Sequence, residues 1–437
     1  MQNIIILFIL CIGSLNCIAQ VSQDKIDLSN KFLILLTSEQ FEEAAACFDE
    51  IVLKQLPPEK LKQVWSSVNA QVGKFKKHTD THTEQIPNYD IVYQTCEFEN
   101  AVLDVKLVYT KKGNTITGFF FVPPKPREDQ KIPPYVVPDS YFEKEIEIHS
   151  GNFKLPGTFT YPKDVTVFPV VVLVHGSGPN DRDETIGPNK PFLDLALGLA
   201  TKGIGTIRYD KRTLVYRDSF LLDNFTLEEE TIEDAVAAIE FVKKTELVNN
   251  VFLLGHSLGA IAAPRIAELQ KDIAGVIMMA GNARPLEDLI LEQMNYIYSI
   301  DGLNKEEQNN IKEMEKQVGR VKSPSLSPQT PMDSLPFHTP AIYWLYLRDY
   351  DQVRTARKLK IPILLLQGER DYQVTMQDFN IWKKTLSGKK SVKFVSYLKL
   401  NHLFMEGEGK SSPAEYTKQN HIPEYVIRDL AEWILKY

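Results

Sequence analysis

The chain is poor in cysteine, in net positive charge and in long apolar runs. Four cysteines occur in 437 residues: Cys11, Cys17, Cys47 and Cys96. No Cys or His cluster has structural-zinc spacing and no H-E-x-x-H occurs, so no metal and no other cofactor is expected. Fifty Lys and Arg against 57 Asp and Glu give a net charge of -7. No basic stretch is interleaved with aromatics, which argues against nucleic acid or an anionic membrane surface as partner. The longest apolar run, Ile4 to Ile12, is too short to span a bilayer, so no transmembrane span is expected. No internal repeat is visible.

That run has the length of a signal h-region. Cys17-Ile18-Ala19 fits a small-x-small cleavage pattern, so residues 1–19 are expected to be a leader, with Gln20 the new terminus and the protein periplasmic or extracellular. The leader carries no Lys or Arg, and two readings compete: a lipid-anchored start at Cys17, for which Ser14-Leu15-Asn16 is a poor cleavage-site match, and an uncleaved interfacial anchor. Cys47 and Cys96 remain in the exported part. Export permits a disulfide, but their surroundings are equally consistent with two buried thiols.

Two folded units are expected from the length. Residues 20–122 read as helices followed by an antiparallel sheet, a small α+β unit. Leu28–Thr37, Phe41–Val52 and Glu59–Val72 carry apolar residues at helical spacing, and Pro57-Pro58 opens the third. Asp90–Phe98, Ala101–Tyr109 and Ile116–Val122 alternate with a period of two. This order, with Phe41-Glu42-Glu43 and Gln71-Val72-Gly73-Lys74-Phe75, resembles the small cystatin-like or NTF2-like domains found ahead of exported hydrolases. His78 and His82 lie in a polar stretch without a third ligand and read as solvated surface residues. Residues 123–140 are proline-rich and polar, a semi-rigid linker.

Residues 141–437 alternate strand and helix, the mark of a mainly parallel, doubly wound α/β sheet. Val170–Val174 is a continuous β-branched run, as expected for a strand buried on both faces. Pro191–Thr201, Thr226–Lys244, Leu258–Gln270 and Pro423–Leu435 read as helices, with Thr226 and Glu229 a candidate capping box. Ile204–Tyr209, Val251–Leu254, Ala274–Ala280, Ile361–Gln367 and Val392–Tyr397 read as strands. The alternation breaks between Gly281 and Lys360, where a helical cap insertion is expected at about residues 284–350.

Gly255-His256-Ser257-Leu258-Gly259 joins a strand to a helix. In that setting G-x-S-x-G forms a nucleophile elbow, with glycines where the turn is too tight for side chains. The helix N-terminus favours negative charge developing at Ser257. A serine hydroxyl needs a base. His402 follows the Val392 strand, where such a base belongs; His421, just before the last helix, is its competitor. Asp371 follows the Ile361 strand through Gly368 and can orient the imidazole; Glu369 competes with it. His175-Gly176-Ser177-Gly178 follows the Val170 strand and lacks the lysine of a P-loop. Its expected role is to supply one oxyanion N–H, from Ser177 rather than Gly178, with the second from Leu258. His175 is read as a brace for this loop.

These four segments, in this order, resemble the α/β-hydrolase superfamily. More narrowly, Gly176-Ser177-Gly178-Pro179-Asn180-Asp181-Arg182-Asp183-Glu184 and Arg208-Tyr209-Asp210-Lys211-Arg212 are similar to a bacterial carboxylesterase group related to the serine aminopeptidase and acyl-hydrolase branches. The resemblance implies hydrolysis of simple acyl esters by a Ser257–His402–Asp371 triad through an acyl-enzyme. The charges around Asp181 to Asp183 and Asp210 to Arg212 either pair near the site or form a solvated loop. The aromatic residues Tyr296, Tyr298, Tyr343, Trp344 and Tyr346 of the cap suit a small-molecule or glycan-linked ester as well as a peptide. A serine peptidase or amidase is therefore the first alternative, and an inactive binding protein the second. Oligomeric state is not legible.

Overall fold

The computed structural model describes residues 21–86, 89–122, 132–216, 225–300 and 302–437. The expected leader, with Cys11 and Cys17, lies outside them. The chain divides into two compact units.

The first unit opens with helices α1 (Gln23–Thr37), α2 (Phe41–Ala45), α3 (Glu50–Gln55) and α4 (Pro58–Val72). The single helix expected over Phe41–Val52 is broken in two. Cys47 and Asp49, on either side of Phe48, bond to the start of a strand: Ile116 N–H donates to Cys47 O at 2.9 Å and Asp49 N–H to Ile116 O at 2.9 Å. The sheet is an antiparallel meander of β1 (Phe75–Ile86), β2 (Tyr89–Phe98), β3 (Val102–Thr110) and β4 (Ile116–Val122). Strand β1 was not expected, because its Lys-, Thr- and His-rich sequence carries no apolar alternation. It is an edge strand, held by backbone pairing to β2. Phe32, Trp65, Phe98 and Tyr109 build the core of this unit. Cys47 and Cys96 are both buried and both free, which settles the open question in favour of thiols. The helix-then-meander order is compatible with an NTF2-like fold.

The proline-rich stretch does not run as linker to residue 140. Ile132 onward belongs to the second unit: Val136 is buried, and Tyr135 O–H donates to Ile422 O at 2.7 Å. Apolar side chains inside a Pro-rich stretch fasten the backbone down wherever they find a surface.

The second unit is built on eight strands: β5 (Tyr141–Ser150), β6 (Phe153–Pro162), β7 (Phe168–Val174), β8 (Gly205–Tyr209), β9 (Val248–His256), β10 (Gly275–Met279), β11 (Ile363–Gly368) and β12 (Val392–Tyr397). Their order is β12-β11-β10-β9-β7-β8-β6-β5. The sheet is parallel from β12 to β8, and β6 and β5 add an antiparallel edge. Helices cover both faces. Val171 and Leu173 pack with α5 (Pro191–Thr201) and the last helix, α13 (Glu424–Ile434). Val170, Val172 and Val174 pack on the other face with α6 (Glu233–Lys243), α7 (Leu258–Leu269) and α12 (Met376–Leu386). An unbroken apolar run fits only a strand with helices on both sides.

Between β10 and β11 the chain inserts a helical cap, α8 (Leu286–Tyr298), α9 (Lys305–Lys322) and α10 (Ala341–Asp349), before α11 (Gln352–Lys358) rejoins the sheet core through Ala356. Ile290, Met314, Val318, Phe337 and Trp344 give it a core of its own. At the start of α9 the Asn304 side chain accepts from Glu307 N–H and the Glu307 carboxylate from Asn304 N–H, both at 2.9 Å, a complete capping box.

Candidate active site

The site lies at the carboxyl ends of the parallel strands, where ligands of doubly wound sheets bind. Ser257 sits between β9 and α7 with φ 53° and ψ -114°. Positive φ is rare for a side chain bearing Cβ and marks a forced backbone. The flanking glycines are sterically required. A Cβ on Gly255 would stand 2.2 Å from Gly259 O, and one on Gly259 2.1 Å from Val174 O.

Asp371 and His402 meet as the spacing suggested. His402 Nδ1–H donates to Asp371 Oδ2 at 2.7 Å. The other carboxylate oxygen accepts from the N–H groups of Gln373 (2.8 Å) and Val374 (3.0 Å), so Asp371 is buried with its lone pairs engaged. Glu369 instead accepts from Ser396 O–H at 2.7 Å. His421 lies 3.0 Å from Asp194. Gly368 has no positive φ; its role is close approach, since a Cβ there would meet Leu400 O at 2.4 Å. The Asn401 side chain braces the loop by accepting from the N–H groups of Leu403 and Met405 at 3.0 and 3.1 Å.

One cavity joins the remaining parts. Ser177, Ser257 and Leu258 line its floor, and Leu286, Leu289, Ile290, Phe337, Tyr343 and Trp344 of the cap segment line the rest. Of the five cap aromatics singled out in the sequence, Tyr343 and Trp344 line it, whereas Tyr346 donates to Glu228 at 2.7 Å and Tyr296 stacks on Tyr372 at 5.0 Å. His175 is buried beside Phe192 and Tyr209, and burial lowers its pKa to about 4. A neutral ring braces the loop.

The charges around Asp181 and Asp210 do pair. Arg182 bonds Asp210 at 3.0 Å and Arg212 bonds Glu233 at 2.9 Å, with Asp234 closer still. Buried Lys211 donates to Glu230 at 2.6 Å and to the Gly176 carbonyl at 3.0 Å. Tyr343 O–H donates to the other Glu230 oxygen at 2.6 Å, so one ion pair touches both the cap and the Ser177 loop. Asp181 instead caps its own turn, accepting from Thr185.

Two residues with no role assigned from sequence, Glu184 and His256, connect the functional loops. Glu184 accepts from Gly176 N–H at 2.6 Å. Its second oxygen lies 2.9 Å from His256 Nδ1, off the line of a well-aimed hydrogen bond. His256 Nε2–H donates to the His402 carbonyl at 2.9 Å, and the two imidazole centroids are 4.8 Å apart. Burial, the largest single influence, would lower the His256 pKa; contact with the Glu184 carboxylate, the bond to the His402 carbonyl and the charge of Asp371 together outweigh it and hold the pKa above its ordinary value. Burial would raise that of Glu184, and His256 holds it below. Glu184 thus binds the loop of Ser177 to the residue beside Ser257, which in turn holds the loop of His402. Glu184 was legible only as a charged residue in a loop, and its φ of 53° has no sequence signature.

Residues 169–408 match the family model for serine aminopeptidase, S33, and residues 29–119 match DUF3887, a domain family of unknown function. Esterase EstD of Thermotoga maritima is 41% identical over 408 residues, covering 93% of this chain and 94% of that one. Among solved structures, Est1E of Butyrivibrio proteoclasticus is 15% identical, with a TM-score of 0.43, over 67% of this chain and 99% of that chain. An esterase of Pyrococcus furiosus is 15% identical, with a TM-score of 0.45, over 68% and 92%. With a family model spanning more than half of its length and a full-length relative, the chain belongs to the serine aminopeptidase S33 family of α/β-hydrolases.

Proposed function

We propose that the protein is an exported serine esterase in which Ser257, His402 and Asp371 act as nucleophile, base and orienting acid. His402 takes the Ser257 proton as the oxygen attacks the ester carbonyl carbon. The oxyanion rests on the N–H groups of Ser177 and Leu258. The tetrahedral intermediate collapses, and the alcohol leaves with the proton held by His402. Water, deprotonated by the same imidazole, then releases the acid from Ser257. Asp371 keeps the imidazole in the tautomer with Nδ1–H and stabilises the imidazolium.

The observation that carries ester over aminopeptidase chemistry is the cavity wall. No Asp or Glu lines it among the described residues, so the ammonium of an aminoacyl substrate would enter without a counter-charge. The relative named as an esterase supports the same reading.

The test is hydrolysis of p-nitrophenyl acetate beside a panel of aminoacyl p-nitroanilides, with fluorophosphonate labelling of the active serine. Turnover of the ester, lost in Ser257→Ala with the circular dichroism unchanged, is expected. Undiminished turnover by Ser257→Ala ends the mechanism, and equal turnover of aminoacyl anilides returns the peptidase reading. For export, N-terminal sequencing of secreted material is expected to begin at Gln20.

A further inference from the structure

Two polar atoms on residues lining this mostly apolar cavity are orphaned. Thr339 and Trp344 are both buried. Neither Thr339 Oγ1 nor Trp344 Nε1 has a hydrogen-bond partner among the described residues. The hydroxyls of Thr206 and Thr231 are also unpaired, but those residues do not line the cavity. Buried donors are nearly always paired, because an unpaired one forfeits its bond to water and receives nothing in return. The backbone next to Thr339 is unusual as well: Phe337 and His338 have φ of 56° and 52°, a region that residues of that bulk rarely adopt. The cap accepts this conformation at the turn that brings Phe337 and Thr339 to the cavity wall.

We propose that Thr339 and Trp344 form a subsite for an oxygen atom of the substrate, so that the enzyme selects esters whose pocket-bound part carries an ether, hydroxyl or carbonyl oxygen beyond the scissile group. The proposal rests on the esterase reading above. The indole N–H only donates and the threonine hydroxyl can donate, so an accepting oxygen of the substrate is the group each of them lacks. A plain alkyl chain would leave both donors unpaired inside an apolar wall, which selects against it in the transition state. The cavity holds about 60 Å³. A cavity of that size takes a short substituent, so the oxygen lies within a few bonds of the ester.

The oxygen can belong to the acyl part or to the alcohol part, and the experiment has an arm for each. The acyl arm compares p-nitrophenyl methoxyacetate with its isostere p-nitrophenyl butyrate. It also compares 3-methoxypropanoate with pentanoate, which moves the oxygen one bond outward. The alcohol arm compares 2-methoxyethyl acetate with n-butyl acetate. Each pair gives a ratio of kcat/KM for wild type, Thr339→Val and Trp344→Phe. Dividing the wild-type ratio by the variant ratio cancels the intrinsic reactivity of the substrates. The expected result is a loss of oxygen preference of roughly five- to tenfold in one arm for each variant, the effect of one hydrogen bond. Thr339→Val is expected to melt no lower than wild type, since it removes a hydroxyl that the fold leaves unpaired. Ratios unchanged within about twofold in both arms, judged against that expected effect, overturn the subsite while leaving the esterase reading intact. Failure of wild type to hydrolyse any of these esters removes both.

Discussion

Glu184→Gln is a sharp perturbation because it removes a charge while keeping the shape. In the native protein the Glu184 carboxylate accepts from Gly176 N–H at 2.6 Å and stands 2.9 Å from His256 Nδ1, all of it buried. Glutamine can still accept from Gly176, so what is lost is the ion contact. Breaking a buried pair by removing one partner costs roughly 3 to 5 kcal/mol. His256 can escape part of this by giving up its proton, so the expected cost is about 2 to 3 kcal/mol where the pair is fully charged. The pH window follows from the two directions of shift. His256 is raised above its ordinary 6.5, so its share of the stability is complete below 6.5 and disappears as pH rises through its folded value. Glu184 is lowered from 4.5, so its share is complete above 4.5 and disappears as pH falls through its folded value. The gap between wild type and variant is therefore widest between pH 4.5 and 6.5 and closes toward alkaline pH. At roughly 2 to 4 °C per kcal/mol, the melting temperature is expected to fall about 5 to 10 °C at pH 5.5 and much less at pH 9. Thermal melts at pH 5.5, 7.5 and 9 measure this. Because His256 also holds the His402 loop, kcat is expected to fall with KM little changed. A melting difference that is constant from pH 5.5 to pH 9 would refute the charged pair.

Asp371→Asn is expected to lower kcat about 10⁴-fold with native melting behaviour, because the amide stabilises the wrong imidazole tautomer; steady-state ester kinetics check this. Gly259→Ala is expected to abolish soluble expression or lower the melting temperature steeply, since its Cβ would stand 2.1 Å from a carbonyl oxygen of the neighbouring strand. Dithiothreitol is expected to leave the melting temperature unchanged, because Cys47 and Cys96 are free. Cys96 is expected to react with a thiol reagent only after denaturation, its thiol being pushed up to about 12, chiefly by burial.

The elements that were legible in the sequence share one property: their signal is local. Strand β7 announced itself by five consecutive β-branched or aliphatic residues, Val170 to Val174. The elbow could be read because a glycine on each side of Ser257 is a steric demand of the turn itself. Asp371 and His402 could be read because each follows a strand of the sheet at the end where ligands bind. The cap was visible as an interruption of the alternation, and the helices within it by their period. Strand β1 escaped because an edge strand with polar faces carries no apolar period, and the split between α2 and α3 because it depends on Ile116, far along the chain.

The sequence by itself determined the parallel strands β7 to β12, though not the antiparallel edge of β5 and β6, and the order of the candidate nucleophile, acid and base, since each is written in spacing or periodicity within a few residues. Only the tertiary structure set Asp371 rather than Glu369 against His402, paired Glu184 with His256, linked the cap to the Ser177 loop through Glu230 and Lys211, and left Thr339 and Trp344 unpaired. Those outcomes are sums of distances between segments that meet only after folding, and a buried charge or donor acquires its energy from what surrounds it there.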